Sequence, residues 1–298
     1  MNKSIFVSVA SYKDPELPNT IETLIKNAVN HKRLSIAICQ QEQLGKFVDF
    51  RQHQVQNLRY NYIDSQGVCW ARRKAQELYN DQQYFLQIDS HIVMVEGWDE
   101  IMIDQIKRAK QTTNNPIVFS AYPAGYQLVD GVRVFNDPVC NQTVLRKDDI
   151  FKFHCGEGVD TSSESPMSSP FLNAGFMFGD GIFNRICKYD PEIYFEGEEL
   201  LNTVKAFTHG FDLFNPSVHM CWHQYKLWSE TDRSKWPLHY SEEDDQQRSV
   251  RHWQRNEIAV RKLKEIFSGQ RPEELGTART LKDYENYIGR SLLKENSK

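Results

Sequence analysis

The run "FLQIDSHIVMVEGWDE", Phe85 to Glu100, sets an acid and an imidazole two residues apart where an apolar strand ends. Alternation along extended backbone sends residues i and i+2 to one side, so Asp89 and His91 can face one point while Ser90 faces away. A hard carboxylate oxygen and an imidazole nitrogen that converge suit Mn²⁺ or a similar divalent ion. Taken alone, so short a pattern is more simply a turn cap at Asp89 beside a hydrogen-bonded, half-buried His91. A second chemical spot is "FEGEEL", where Glu198 and Glu199 follow a glycine at the start of a helix. Carboxylates there meet the positive end of the helix dipole, and that structural role would suffice by itself.

The elements that must position these residues follow from hydrophobic periodicity. "SIFVSVAS" (4–11), "RLSIAICQQ" (33–41), "LRYNYID" (58–64) and "QYFLQIDS" (83–90) read as strands, and the polar run 48–57 between the second and third is ambiguous. "NTIETLIKNAVNH" (19–31) repeats apolar residues at helical spacing behind an Asn19 or Thr20 cap. "VCWARRKAQELYND" (68–81) is a helix with Ala71, Ala75 and Leu78 on one face and its arginines on the other. The order strand, helix, strand, strand, helix, strand is that of an α/β fold with a doubly wound, mostly parallel sheet. In such sheets ligands sit beyond the C-terminal strand ends, where Asp89 and His91 lie.

Further along, 99–111 reads as a helix, 116–123 as a strand, and 125–149 as short, turn-rich strands. The polar stretch 154–170 reads as a loop. "FLNAGFMFGDGIF" (171–183) returns to strand character, with Phe171, Phe176 and Phe178 expected in the core. A helix over 195–210, a strand-like run over 211–225 and a charged, helix-prone end over 241–298 complete the chain. The clearest helix of that end is 249–267. We therefore expect a catalytic domain over 1–240, split into halves at 1–125 and 126–240, with 241–298 as a helical C-terminal extension.

With 298 residues, 40% of them hydrophobic and 26% charged, the chain has the composition of a soluble globular protein with a sizeable core. Its net charge of −4 offers no basic field to a nucleic acid, so no nucleic-acid partner is expected. Six scattered cysteines without a C-x-x-C pair point to reduced thiols. The N-terminus lacks a leader pattern, and no segment approaches the ~18 consecutive apolar residues of a membrane span. A cytoplasmic location is the expectation.

The ordered combination of "FVSVASYKDPE", "SQGVCWARRKAQ", "QIDSH" with "WD" following, "GFMFGDGI", "YDPEIYFEGEE", "FTHGFDLFNPSVHMCWHQY" and "LGTARTLKDYENYIG" resembles one family across nearly the whole chain. That family is the cytoplasmic polypeptide-hydroxyproline N-acetylglucosaminyltransferases and their bacterial relatives, glycosyltransferase family 60. A more distant likeness is to the retaining polypeptide GalNAc-transferases, which also use Asp-Ser-His. The resemblance implies a GT-A fold, a UDP-sugar donor (GlcNAc by precedent), a hydroxyl acceptor, Mn²⁺ or Mg²⁺, and retention of configuration. It implies a distal histidine completing the metal shell, with His223 of "H-x-Y" preferred to His219. It further implies nucleotide contacts from Ser11, Tyr12 and Gln41, with Tyr12 stacking on uracil, and an Arg72 aimed at the nucleotide or at the metal-binding acid.

Glu198, with Glu199 close behind, would face the sugar or acceptor. Asn173 would meet a sugar hydroxyl or N-acetyl group. The stretch 154–170 and the C-terminal helices are the places expected for the acceptor. An inverting enzyme would instead use Glu198 or Glu199 as its base. A sugar nucleotidyltransferase would need a Gly- and Arg-rich loop that "SYKDPELPN" lacks. An inactive nucleotide-sugar or glycan-binding module is the alternative of another class.

Overall fold

The computed structural model describes residues 3–146, 149, 151–159, 165–225 and 239–293. Its strands are β1 (Ile5–Tyr12), β2 (Leu34–Glu42), β3 (Val55–Asn61), β4 (Tyr84–Asp89), β5 (Ile92–Met94), β6 (Ile117–Ser120) and β7 (Tyr122–Val129). They continue with β8 (Val132–Phe135), β9 (Cys140–Leu145), β10 (Phe153–Gly158), β11 (Met167–Ser168), β12 (Phe176–Asp180), β13 (Asp212–Asn215) and β14 (Cys221–Gln224). The helices are α1 (Leu17–Lys26), α2 (Val68–Gln76), α3 (Trp98–Ala109), α4 (Phe183–Ile186), α5 (Glu198–Thr208), α6 (Glu242–Asp245), α7 (His252–Phe267) and α8 (Leu281–Ile288).

The main sheet has eight strands in the order β11-β13-β6-β12-β4-β1-β2-β3. β3, β2, β1 and β4 run parallel, while β12 runs antiparallel to both β4 and β6. Strand periodicity explains the layers. Along β1, Ile5, Val7 and Val9 enter one core with α1 (Leu17, Ile21, Leu24) and α3 (Met102, Ile103, Ile106). Phe6, one residue out of step, enters the other core with α2 (Ala71, Ala75), α5 (Leu200, Val204) and α7 (Ala259, Leu263, Ile266). A strand apolar on both faces must be covered on both faces, and the result is helix, sheet, helix. Tyr284 of α8 is fully buried in that second core, alongside α2 and α5. The expected α/β architecture, with helices on both faces of a mostly parallel sheet, is present.

Several local expectations need correction. A second sheet, in the order β10-β9-β7-β14-β5 with β8 paired to β7, accompanies the main one. The stretch 154–170 is not simply a loop, since β10 and β11 occupy parts of it; residues 160–164 lie outside the described residues. Helix α2 stops at Gln76, and the third strand ends at Asn61 before a short 3-10 turn. Phe171, Phe176 and Phe178 are buried as expected. Among the described residues, no helix is long and apolar enough to cross a membrane.

Candidate active site

A cavity of about 540 Å³ opens at the C-terminal ends of β1, β2 and β4. Its wall includes Ser11, Tyr12, Gln41, Arg72, Asp89, His91, Asn173, Glu198, Glu199 and His223. The fold thus brings every expected site residue to one cavity. His219 sits elsewhere: its Nδ1 lies 3.1 Å from the Val139 carbonyl oxygen, and its ring packs edge-on against Trp222.

Asp89 is the last residue of β4, and the chain turns at once through Ser90 and His91 into β5. Thr20 braces that turn, its hydroxyl donating to the Ser90 carbonyl at 2.8 Å and accepting from the Ile92 N–H at 3.0 Å. β14 pairs antiparallel with β5, setting His223 opposite Ile92. The second sheet therefore carries a histidine far along the chain back to the strand end. Candidate ligand atoms of Asp89, His91 and His223 all lie within 4.8 Å of one another.

The convergence has a different cause from the alternation expected. Residues 90 and 91 form a turn, so Ser90 does not face away. Its hydroxyl donates to Asp14 Oδ2 at 2.6 Å, and the same oxygen lies 2.7 Å from His91 Nδ1. Asp14 is a functional candidate that the sequence reading missed. Its signal was an acid two residues past β1, at the same end of the sheet. Burial pushes the Asp14 carboxyl up, but the His91 imidazole and the Ser90 hydroxyl outweigh it and hold the group below its ordinary value. With His91 Nδ1 engaged, Nε2 is the nitrogen able to ligate, the usual arrangement of a carboxylate-backed metal histidine.

Arg72, which the resemblance aims at the nucleotide or at the metal-binding acid, is buried. Gly67 allows this by starting α2 at φ +102°, where a Cβ would fall 2.3 Å from the Tyr194 carbonyl oxygen. From there Arg72 donates to Asp89 Oδ1 at 2.8 Å and to both Glu198 oxygens at 2.7 and 2.8 Å. The other Asp89 oxygen, Oδ2, lies 3.2 Å from His223 Nε2. Burial alone would raise the Asp89 pKa, but His223 and the Arg72 guanidinium hold the carboxylate well below its usual range. For His223 burial is the larger effect, and it keeps the imidazole neutral to lower pH than usual despite Asp89.

The donor set fits a divalent ion. It offers one carboxylate oxygen and two imidazole nitrogens, and the 3.2 Å between Asp89 Oδ2 and His223 Nε2 suits neighbouring ligands with bonds of ~2.1 Å. Gly175 lets the backbone come close: a Cβ there would lie 3.1 Å from Asp89 Oδ2. Asn173 Oδ1 accepts from the Gly175 N–H at 2.9 Å, so that oxygen shapes the turn beneath the cluster.

The two glutamates are not equivalent. Glu198 is buried, with both oxygens on Arg72 and one also receiving the Cys69 thiol at 3.2 Å. Glu199 is partly exposed and accepts the Ala174 N–H at 2.9 Å. Burial, then the charge of Glu198, pushes Glu199 up to about 8. Glu198 was expected to take the leading role toward a sugar. Glu199 is the carboxylate with accessible surface.

A three-layer α/β fold with an acid–imidazole cluster at the end of its central strand is the setting, and the family match gives the class as glycosyltransferase. The family profile described as Glycosyltransferase (GlcNAc) matches residues 4–47 and 43–293, and the chain belongs to that family. No curated protein matches the sequence. Among solved structures, GalNAc-T7 with UDP, GalNAc and Mn²⁺ shares the fold at 15% identity and a TM-score of 0.59, covering 97% of this chain. The chain spans 55% of that relative's length. The S. aureus TarS 1–349 structure with UDP-GlcNAc aligns at 14% identity and a TM-score of 0.45, over 90% of this chain and 74% of that one.

Proposed function

We propose that the chain is a divalent-metal-dependent N-acetylglucosaminyltransferase of glycosyltransferase family 60, moving GlcNAc from UDP-GlcNAc to a hydroxyl acceptor with retention. The observation that carries this reading is the convergence of Asp89, His91 and His223 within 4.8 Å at the mouth of the sheet. The family description supports the sugar, and GalNAc-T7, solved with UDP, GalNAc and Mn²⁺, is the precedent for nucleotide and ion in this fold. A cytoplasmic location is proposed with it, supported by six free cysteines, five of them buried.

Asp89, His91 and His223 would hold Mn²⁺ or Mg²⁺. When bound, such an ion supplies positive charge to the departing diphosphate. Asp14 fixes the His91 ring, and Arg72 fixes Asp89 and Glu198 together. Asn173 and Glu199 line the region left for the sugar and the acceptor hydroxyl. On the retaining reading the acceptor proton passes to the leaving phosphate, and Glu199 orients a hydroxyl without removing its proton.

One observation favours a second reading. Glu199 lines the cavity as the partly exposed carboxylate of the pair, and its raised carboxyl is matched to proton abstraction near neutral pH, as an inverting enzyme would need. The experiment is UDP release from UDP-GlcNAc, UDP-GalNAc and UDP-glucose with a panel of hydroxyl acceptors, followed by NMR of the product. Preference for UDP-GlcNAc and an α-linked product is expected. A β-linked product would transfer the role of base to Glu199, and no turnover of any UDP-sugar would remove the proposal.

A further inference from the structure

Resting on the UDP-sugar reading above, we infer that residues 239–252 complete the nucleotide end of the cavity, with Asp244 and Arg248 as positioning residues that hold the Tyr12 ring as the platform for the base. The C-terminal segment is then part of the donor site. It is not an appendage.

Tyr12 ends β1, in register with Gln41 on β2. Beside it, Ser11 Oγ and Gln41 Oε1 are buried and have no hydrogen-bond partner among the described residues. Ser11 is 1% exposed and Gln41 3%, and both line the cavity. Buried polar atoms without partners carry a cost, and Ser11 Oγ and Gln41 Oε1, side by side at the strand ends of β1 and β2, are acceptors that a ligand entering the cavity can satisfy. The imide N–H of uracil and the ribose hydroxyls are donors of that kind.

The Tyr12 hydroxyl is held from two directions, donating to Asp244 Oδ2 at 2.8 Å and accepting from Arg248 Nη2 at 2.6 Å. Both partners are buried, at 3% and 7% exposure, and Lys13 pairs with Asp244 at 2.9 Å. Arg248 also donates to the carbonyl oxygens of His239 and Tyr62, which ties the segment to both flanks of the ring. Tyr62 and His239 each meet the Tyr12 ring at 79°, so neither stacks on it. His239 and Tyr240 then continue the wall of the cavity.

Calorimetry with UDP and with UMP tests the inference on the full chain, using wild type, Tyr12→Phe, Arg248→Met, Arg248→Lys and the Tyr12→Phe/Arg248→Met double variant. Arg248→Met should weaken UDP and UMP alike by about tenfold, the scale of one charged hydrogen bond. Tyr12→Phe should reproduce most of that loss, Arg248→Lys should recover part of it, and the double variant should add little. The ratio of UDP affinity in Mn²⁺ to that in EDTA should not move. A merely structural role would lower thermal stability and the Mn²⁺-dependent part together, without rescue by lysine, and would overturn the inference. Unchanged UMP binding in both single variants would overturn it as well. If wild type binds neither UDP nor UMP, the functional reading itself fails, and the inference with it.

Discussion

The carboxylates at the cluster end of the cavity and the neutral groups at its strand ends are balanced in different ways. At the cluster end each carboxylate is engaged by the protein: Asp89 by Arg72 and His223, Glu198 by Arg72 and Cys69, Asp14 by His91 and Ser90. At the strand ends of β1 and β2, Ser11 Oγ and Gln41 Oε1 have no partner among the described residues. The difference follows from cost. An unpaired buried charge costs several kcal/mol, whereas an unpaired neutral hydroxyl or amide costs roughly 1–3 kcal/mol. A protein can keep neutral groups waiting for a ligand, but it must neutralise its charges in advance.

The strongest way to break this contrast is Arg72→Met. It leaves Asp89 and Glu198 without their shared cation, and stability should fall by about 3–5 kcal/mol in urea unfolding. A loss below about 1 kcal/mol would show that Arg72 is not what balances this end. Asp14→Asn is gentler. It loosens His91 without touching a ligand atom, so the Mn²⁺-dependent part of UDP binding should weaken about 10–100-fold while UMP binding holds. Equal losses for UDP and UMP would merge the two ends into one unit.

A third test concerns Glu199. Its folded pKa is raised from 4.5 to about 8, so its protonated form favours the fold. That contribution is complete below about 4.5 and is lost as pH rises through about 8. Glu199→Gln should therefore gain on wild type over this window, read as the urea midpoint against pH in metal-free protein. Parallel curves would place Glu199 in water.

The parts of this contrast that were legible in the sequence are those set by local pattern. Alternation in "IFVSVASY" announces a strand covered on both faces, and Ile5, Val7, Val9 and Phe6 divide between two cores accordingly. Asp89 and His91 stand out because an acid and an imidazole end an apolar run. The motif order, once its family was seen, pointed to His223 ahead of His219. What stayed hidden depends on partners distant in sequence. Arg72 could be aimed only through the resemblance, because its partners Asp89 and Glu198 lie 17 and 126 residues away. Asp14 looked like a loop acid because nothing local shows that His91 folds back upon it. β5 has three residues and β10 is rich in polar residues and glycine, so neither reads as a strand until its ladder partner is known.

The central claim is that Asp89, His91 and His223 hold an ion that a UDP-sugar needs. Its most direct test is calorimetric binding of UDP in Mn²⁺ and in EDTA, on wild type, Asp89→Ala, His223→Ala and His219→Ala. Wild type should bind UDP in a Mn²⁺-dependent way, Asp89→Ala and His223→Ala should lose that dependence, and His219→Ala should keep it. Binding that is equal in Mn²⁺ and EDTA, or that survives Asp89→Ala, would contradict it.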